Sequence, residues 1–173
     1  RYSYKETSVT PFGFKFVGNN IMSSGNFEKE ETILFNKILK NVELFINVGA
    51  NIGYYCCHAL SNNKPVIAFE PMNLNLKFLL RNIKDNRWED QIEIYPLALN
   101  NKVKGIVEIY GGGTDASIVK GWVKSSEKFL TLVPCTTLDN IIGSRISNLT
   151  SLILVDIEGA ELLMLEGAIN TIK

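Results

Sequence analysis

A pair of glycines, one glutamate and a cluster of acids are the residues of this chain whose types and spacing could do chemistry. Gly49 and Gly53 follow the apolar run Leu44-Phe45-Ile46-Asn47-Val48, and an amphipathic pattern begins just beyond them. A tight turn between a buried strand and a helix points free backbone N–H groups and a positive helix end at a ligand. Glu70 closes the next apolar run, Val66-Ile67-Ala68-Phe69, about 20 residues beyond Gly49. An acid at the end of the second strand of a βαβ unit is placed to accept both hydroxyl protons of a ribose. Asp156, Glu158 and Glu161 follow a later run, Leu152-Ile153-Leu154-Val155. Carboxylates at that position could orient an acceptor hydroxyl or take its proton. Each acid has a structural alternative: Asp156 as a helix N-cap, Glu161 as a surface acid in a first helical turn.

The glycine pattern discriminates between nucleoside ligands. A dinucleotide site wants G-x-G-x-x-G, and those positions hold Gly49, Asn51 and Tyr54. The middle glycine admits a pyrophosphate and the last lets helix pack on strand. Both are missing here, so a ribose ligand without a pyrophosphate fits better. S-adenosylmethionine is such a ligand, and Asn51 and Tyr54 argue against a nicotinamide dinucleotide. Either half of the signal alone is what ordinary turn glycines or a solvated strand end would give. Together, on consecutive strands at this spacing, they favour a binding site.

These residues must be positioned by an α/β scaffold. Strands are predicted over 44–48, 66–69 and 92–96. A helix follows each of the first two, and Leu76, Leu79, Leu80 and Ile83 form the apolar stripe of the second, with Asn73 as a possible cap. The β-α-β-α-β order argues for a parallel sheet with helices on both faces. Ahead of it, the alternation of Phe12, Phe14 and Phe16 predicts a strand within 10–19. Leu34, Phe35, Ile38 and Leu39 predict a helix over 27–40. After the third strand the period changes. Segments 103–110 and 129–135 read as two inserted antiparallel strands, joined by a mobile connection over 111–128 that is placed to contact substrate. A short helix starts at Thr137-Leu138-Asp139. A last strand ends at Val155, and a helix carrying Leu162, Leu165, Ile169 and Ile172 follows. If that strand lies beside the first, Asp156 and Glu158 face the same crevice as the glycine turn.

Composition narrows the class. The chain has 173 residues, enough for one domain with a real core. Lys plus Arg equals Asp plus Glu at 18 each, so no basic excess advertises a nucleic-acid partner. No apolar run approaches the roughly 18 residues of a membrane span. Cys56, Cys57 and Cys135 show no metal-ligand spacing and read as buried reduced thiols, which suits a cytoplasmic protein. His58 is the sole histidine and reads as a packed or surface helix residue. No metal site is expected.

Taken in order, the segments Val48-Gly49-Ala50-Asn51-Ile52-Gly53, Ala68-Phe69-Glu70-Pro71, Leu97-Ala98-Leu99, Thr137-Leu138-Asp139 and Asp156-Ile157-Glu158-Gly159-Ala160-Glu161 resemble the FkbM-type family of S-adenosylmethionine-dependent methyltransferases. The resemblance extends over 44–173. It implies a Rossmann-like methyltransferase fold and methyl transfer to oxygen, on a sugar or another small-molecule or glycan hydroxyl. It implies Gly49, Asn51 and Gly53 on the methionine side of the cofactor, Asn47 just before them, Glu70 on the ribose, and Ala98 and Leu99 near the adenine. Asp156 and Glu158 are then the candidate catalytic acids. The chain departs from the family pattern where Asn47 replaces an Asp, Leu154 a Lys, and Asn100-Asn101 follow Leu99. The expected organisation is an N-terminal packing segment, 1–43, and a cofactor-binding domain, 44–173, whose last strands would lie beyond Lys173. The competing reading is a non-catalytic nucleoside-binding or degraded module on the same fold.

Overall fold

The computed structural model describes residues 6–103, 105–111, 116–121 and 130–173. In chain order its elements are strands β1 (Ser8–Val9) and β2 (Lys15–Phe16), helices α1 (Asn20–Ser23) and α2 (Lys29–Leu39), strand β3 (Leu44–Val48), helix α3 (Tyr54–Ser61), strand β4 (Val66–Phe69), helix α4 (Asn73–Asn86) and strand β5 (Ile92–Tyr95). Then come β6 (Ala98–Leu99), β7 (Gly105–Tyr110), β8 (Leu130–Thr136), helix α5 (Leu138–Ile141), strand β9 (Ser151–Val155) and helices α6 (Glu161–Glu166) and α7 (Ile169–Ile172).

The central sheet runs β5-β4-β3-β9, and every pair in it is parallel. Alternation decides which way each side chain goes. Phe45, Val66 and Ala68 face α2, α3 and α4, where Phe35, Leu39, Cys56, Leu60 and Leu79 receive them. Leu44, Ile46, Val48, Ile67 and Phe69 face the opposite layer, against Leu138, Ile142 and Met164. Because helices cover both faces, β3 and β4 are buried along their whole length and read as unbroken apolar runs. Each fully buried Phe, Ile or Leu here contributes about 1.5–3 kcal/mol. The result is the expected Rossmann-like α/β architecture.

The insertion forms a sheet of its own. β7 and β8 pair antiparallel, as the sequence predicts, and β6 joins β8 in parallel. The predicted strand at 103 starts instead at Gly105. Phe129, Gly112, Gly113 and most of the predicted mobile connection lie outside the described residues. β6 leads directly out of β5 by way of Leu97, so this small sheet is tied to the carboxyl end of the central one.

The aromatic segment near the N-terminus differs from the expected long strand. Only Lys15 and Phe16 pair, with β1. Side chains of α4 satisfy its other edge. Asn86 accepts from the Lys15 N–H at 2.8 Å and donates to the Lys15 carbonyl at 2.6 Å. Asn82 accepts from the Val17 N–H at 2.7 Å, and its amide donates to the carbonyls of Val17 at 3.1 Å and Ile52 at 2.9 Å. Phe14, Phe16 and Val17 thereby enter one cluster with Ile52, Tyr54, Cys57 and Phe78.

Several helix faces are corrected. In α2 the buried side is Thr32, Phe35 and Leu39, while Leu34 and Ile38 turn to solvent. In α4 Leu80 is exposed, and Asn73 is the first helical residue, with Met72 at the cap position. The expected C-terminal helix is two helices. α6 stops at Gly167, where a Cβ would stand 2.1 Å from the Asn100 carbonyl oxygen. α7 restarts on Asp139, which accepts from the backbone N–H groups of Asn170 and Thr171. Ala160, Met164 and Ala168 are buried, and Leu162, Leu165, Ile169 and Ile172 are exposed. The spacing of the leucines and isoleucines is helical, but the face that is buried is the other one. Among the described residues no helix is long and apolar enough to cross a membrane.

Candidate cofactor crevice

From β3 the chain steps outward to β4 and β5, then returns to place β9 on the other side of β3. Strand order therefore reverses between β3 and β9, the position at which open α/β sheets bind ligands. A crevice opens there, beyond the carboxyl ends of the strands. It brings together Gly49, Asn51, Glu70, Ala98 and Leu99 with Asp156 and Glu158. Asn47 and Gly53 are not in its lining.

The turn after β3 is built from left-handed backbone. Gly49, Asn51 and Gly53 have φ of 85°, 49° and 87°. A Cβ on Gly53 would meet Leu79 Cδ1 at 2.4 Å, so this glycine lets α4 pack against the start of α3. The expectation of free N–H groups aimed at a ligand is not met by most of this turn. Gly49 and Ala50 both donate to the Phe69 carbonyl at 2.9 Å, Gly53 donates to Ala50, and Asn51 donates to Glu70. The donors stitch the end of β3 to the end of β4.

Glu70 is the centre of that stitching. It is only 4% exposed. Its Oε2 accepts from the Asn51 N–H at 2.7 Å, and its Oε1 accepts from the Met72 N–H at 2.9 Å and the Asn75 amide at 3.1 Å. Burial raises its pKa, and these hydrogen bonds oppose that rise. A carboxylate offers about four acceptor positions. Three are used among the described residues, and the carboxylate borders the crevice.

The loop after β9 is clamped from several directions. The Asp156 N–H donates to the Val48 carbonyl at 3.0 Å. Glu161 Oε1 accepts from Ile157 and Gly159 N–H groups at 3.2 and 3.1 Å, which gives this acid a turn-holding role. Glu158 adopts φ of 53°, and its carbonyl accepts from the Ser117 hydroxyl at 2.6 Å. Asp156 does not cap α6, whose N-cap position is Ala160. Its pKa is raised by partial burial and then by the negative fields of Glu28 and Glu161. Glu28 comes from the N-terminal segment, is left-handed at φ 41°, and accepts from the Tyr55 hydroxyl at 2.6 Å. Sequence spacing gave no sign of that neighbour.

Asn47 projects to the helical layer behind β3. Its amide donates to Cys56 Sγ at 3.4 Å, and its Oδ1 is buried with no hydrogen-bond partner among the described residues. Leu154 packs into the same layer. These two departures from the family pattern therefore lie on the α2–α4 side of the sheet. Burial pushes the Cys56 thiol up to about 12 and the Cys57 thiol well above its usual value. Both stay neutral, and no acid, thiol and imidazole cluster fit for a metal exists among the described residues. His58 is enclosed by Phe12, Phe14 and Tyr54 and accepts at Nδ1 from the Asn36 amide at 3.2 Å.

The apolar wall of the crevice was not anticipated. Met72, Ile109, Ala116 and Ile118 give the crevice an apolar side, continuous with the core of the small sheet. The alternation within 105–110 could have shown that Ile109 faces inward; residues 116–118 carry no local signal.

The family model for the methyltransferase FkbM domain matches residues 47–173. The chain belongs to the FkbM methyltransferase family. S-adenosylmethionine is the cofactor of this family. No curated protein matches the chain. Among solved structures it is similar to protein PH0793 of Pyrococcus horikoshii, with 28% identity over 53% of this chain and 36% of that one and a TM-score of 0.43. It is also similar to P. horikoshii TYW2 in complex with MeSAdo, with 25% identity over 51% of this chain and 36% of that one and a TM-score of 0.40. An O-methyltransferase from Bacillus cereus in complex with SAH gives 11% identity over 43% and 36% and a TM-score of 0.36. The FkbM-family chain thus spans about a third of the length of these proteins.

Proposed function

We propose that this chain binds S-adenosylmethionine in the crevice between β3 and β9 and passes its methyl group to a hydroxyl oxygen of a sugar or another small-molecule or glycan acceptor. The observation that carries the reading is Glu70. Its carboxylate is buried at the crevice edge, fixed by three donors, with acceptor capacity to spare for a ribose hydroxyl. The apolar wall of Met72, Ile109 and Ile118 suits a nucleobase, with Ala98 and Leu99 beside it.

When bound, the cofactor supplies an electrophilic methyl on a sulfonium. The protein supplies position and proton traffic. Gly49 and Asn51 shape the floor on the methionine side, and Asn47 and Gly53 act from behind by supporting that turn. Asp156 orients the acceptor hydroxyl and takes its proton as oxygen attacks. Its raised pKa makes it a better base than an ordinary aspartate. Glu158, beside it on the same loop, is a second acceptor for hydroxyls. Precise placement of two reactants supplies much of the rate in such transfers, about 7–11 kcal/mol in well-oriented cases.

In this reading residues 1–43 pack on the domain 44–173 and support its turn. Buried thiols at Cys56, Cys57 and Cys135 fit a reducing, cytoplasmic setting. Calorimetry with S-adenosylhomocysteine tests the reading directly. Saturable binding that NAD does not compete for is expected. Absence of binding by the folded protein would remove it.

A further inference from the structure

The small sheet does more than sit beside the crevice. A single hydroxyl, that of Ser117 in the segment after Tyr110, bonds to two partners, Glu158 and Val119. Ser117 is 2% exposed. Its backbone pairs with Tyr110 in both directions, Tyr110 N–H to Ser117 carbonyl at 2.8 Å and Ser117 N–H to Tyr110 carbonyl at 3.0 Å. Its side chain then works across the fold. The hydroxyl donates to the Glu158 carbonyl at 2.6 Å and accepts from the Val119 N–H at 3.0 Å. One oxygen thus joins the insertion to the loop after β9. The residues on either side, Ala116 and Ile118, line the crevice, as does Ile109 of β7.

We propose that Ser117 is a positioning residue for cofactor binding: its hydroxyl pins the insertion to the Glu158 turn and so holds Ala116 and Ile118 as the apolar wall over the bound nucleoside. The inference rests on the reading that S-adenosylmethionine occupies this crevice. It goes further by giving the insertion a cofactor-retaining role. The chemistry recognised is an apolar, planar nucleobase face held against aliphatic side chains. A serine is suited to the task because its hydroxyl can donate to a carbonyl and accept from an N–H at once. Glu158 is left-handed, a backbone state that persists only where neighbours hold it, and the Ser117 bond is one of those holds.

The test uses the whole chain. Dissociation constants and off-rates for S-adenosylhomocysteine are measured for wild type, Ser117→Ala, Ile118→Ala and the double variant. Far-UV circular dichroism and ligand-free melting accompany each. Two hydrogen bonds are removed in Ser117→Ala, so its Kd should rise about tenfold, chiefly through a faster off-rate. Because Ser117 acts through Ile118, the two losses should be non-additive, with Ser117→Ala costing less in the Ile118→Ala background. A merely structural serine would lower the ligand-free melting temperature and leave Kd unmoved. That result, or full additivity, overturns the inference while leaving the binding reading intact. No binding by wild type overturns both. Should Ser117→Ala fail to fold, Ile118→Ala keeps its hydroxyl bonds, and a wild-type Kd in that variant is again fatal to the inference.

Discussion

A Cβ on Gly49 would stand 2.0 Å from the carbonyl oxygen of Asp156. The turn that ends β3 and the loop that ends β9 are therefore in direct backbone contact, and the crevice floor has no slack. Gly49→Ala would add a left-handed alanine, about 1–2 kcal/mol, and would force the strand ends apart. A total near 3 kcal/mol lowers Tm by roughly 6–12 °C in a chain of this size. Thermal melting checks this, and a shift under about 2 °C would mean that the strand ends separate freely.

Glu70→Ala should weaken S-adenosylhomocysteine binding about 10- to 100-fold, the loss expected when hydrogen bonds to a charged group go. It should also loosen the turn, because Asn51, Met72 and Asn75 lose their acceptor together. Calorimetry reads the first effect and melting the second. Wild-type affinity in a folded Glu70→Ala protein would remove the ribose contact.

Asp156→Asn should cut turnover about 100-fold or more once an acceptor is in hand, since general-base groups contribute roughly 10²–10⁴. Cofactor affinity should stay within about threefold of wild type. The acid limb of the rate profile should lie above the ordinary aspartate range, because partial burial, Glu28 and Glu161 all raise this pKa. Glu28→Gln removes one negative field and should move that limb to lower pH. A limb that does not respond would detach Glu28 from the site.

His58 sits neutral in its aromatic enclosure, its pKa lowered by burial to about 4 from 6.5. The unfolded chain binds a proton that the folded chain refuses. Stability from this group is full above about pH 6.5 and is lost as pH falls toward 4, by about 3 kcal/mol in all. Denaturant unfolding across that range should show the slope in wild type and lose it in His58→Leu. An unchanged slope in the variant would assign it to carboxylates.

Much of this was legible in the chain. The runs at 44–48 and 66–69 are apolar throughout because helices cover both faces, and period and composition suffice to read that. Glu70 was legible because it closes such a run. Thr137 was legible as the start of a helix, and its hydroxyl does accept from the Asn140 N–H. What stayed hidden depends on long-range polar pairing. Asn82 finds Val17 at a separation of 65 residues, and Ser117 finds Glu158 at 41. An asparagine on a helix or a serine in a loop carries no local mark of such a partner. The turn's N–H groups were misjudged for a related reason: the nearby Phe69 carbonyl and Glu70 carboxylate satisfy them before any ligand can. The apolar residues Leu162, Leu165, Ile169 and Ile172 misled because the buried face is that of Ala160, Met164 and Ala168.

Asn82 has one further consequence, and it concerns where the protein can be cut. The stretch recognisable by kinship opens at residue 47, inside β3. The same asparagine amide holds Ile52 of the turn after β3 and Val17 of the aromatic arm. A chimera or minimal fragment trimmed to the kinship border would lose most of β3 and uncover Ile52, Tyr54 and Cys57 at once. Grafts that carry the arm along with the turn keep that shelter intact.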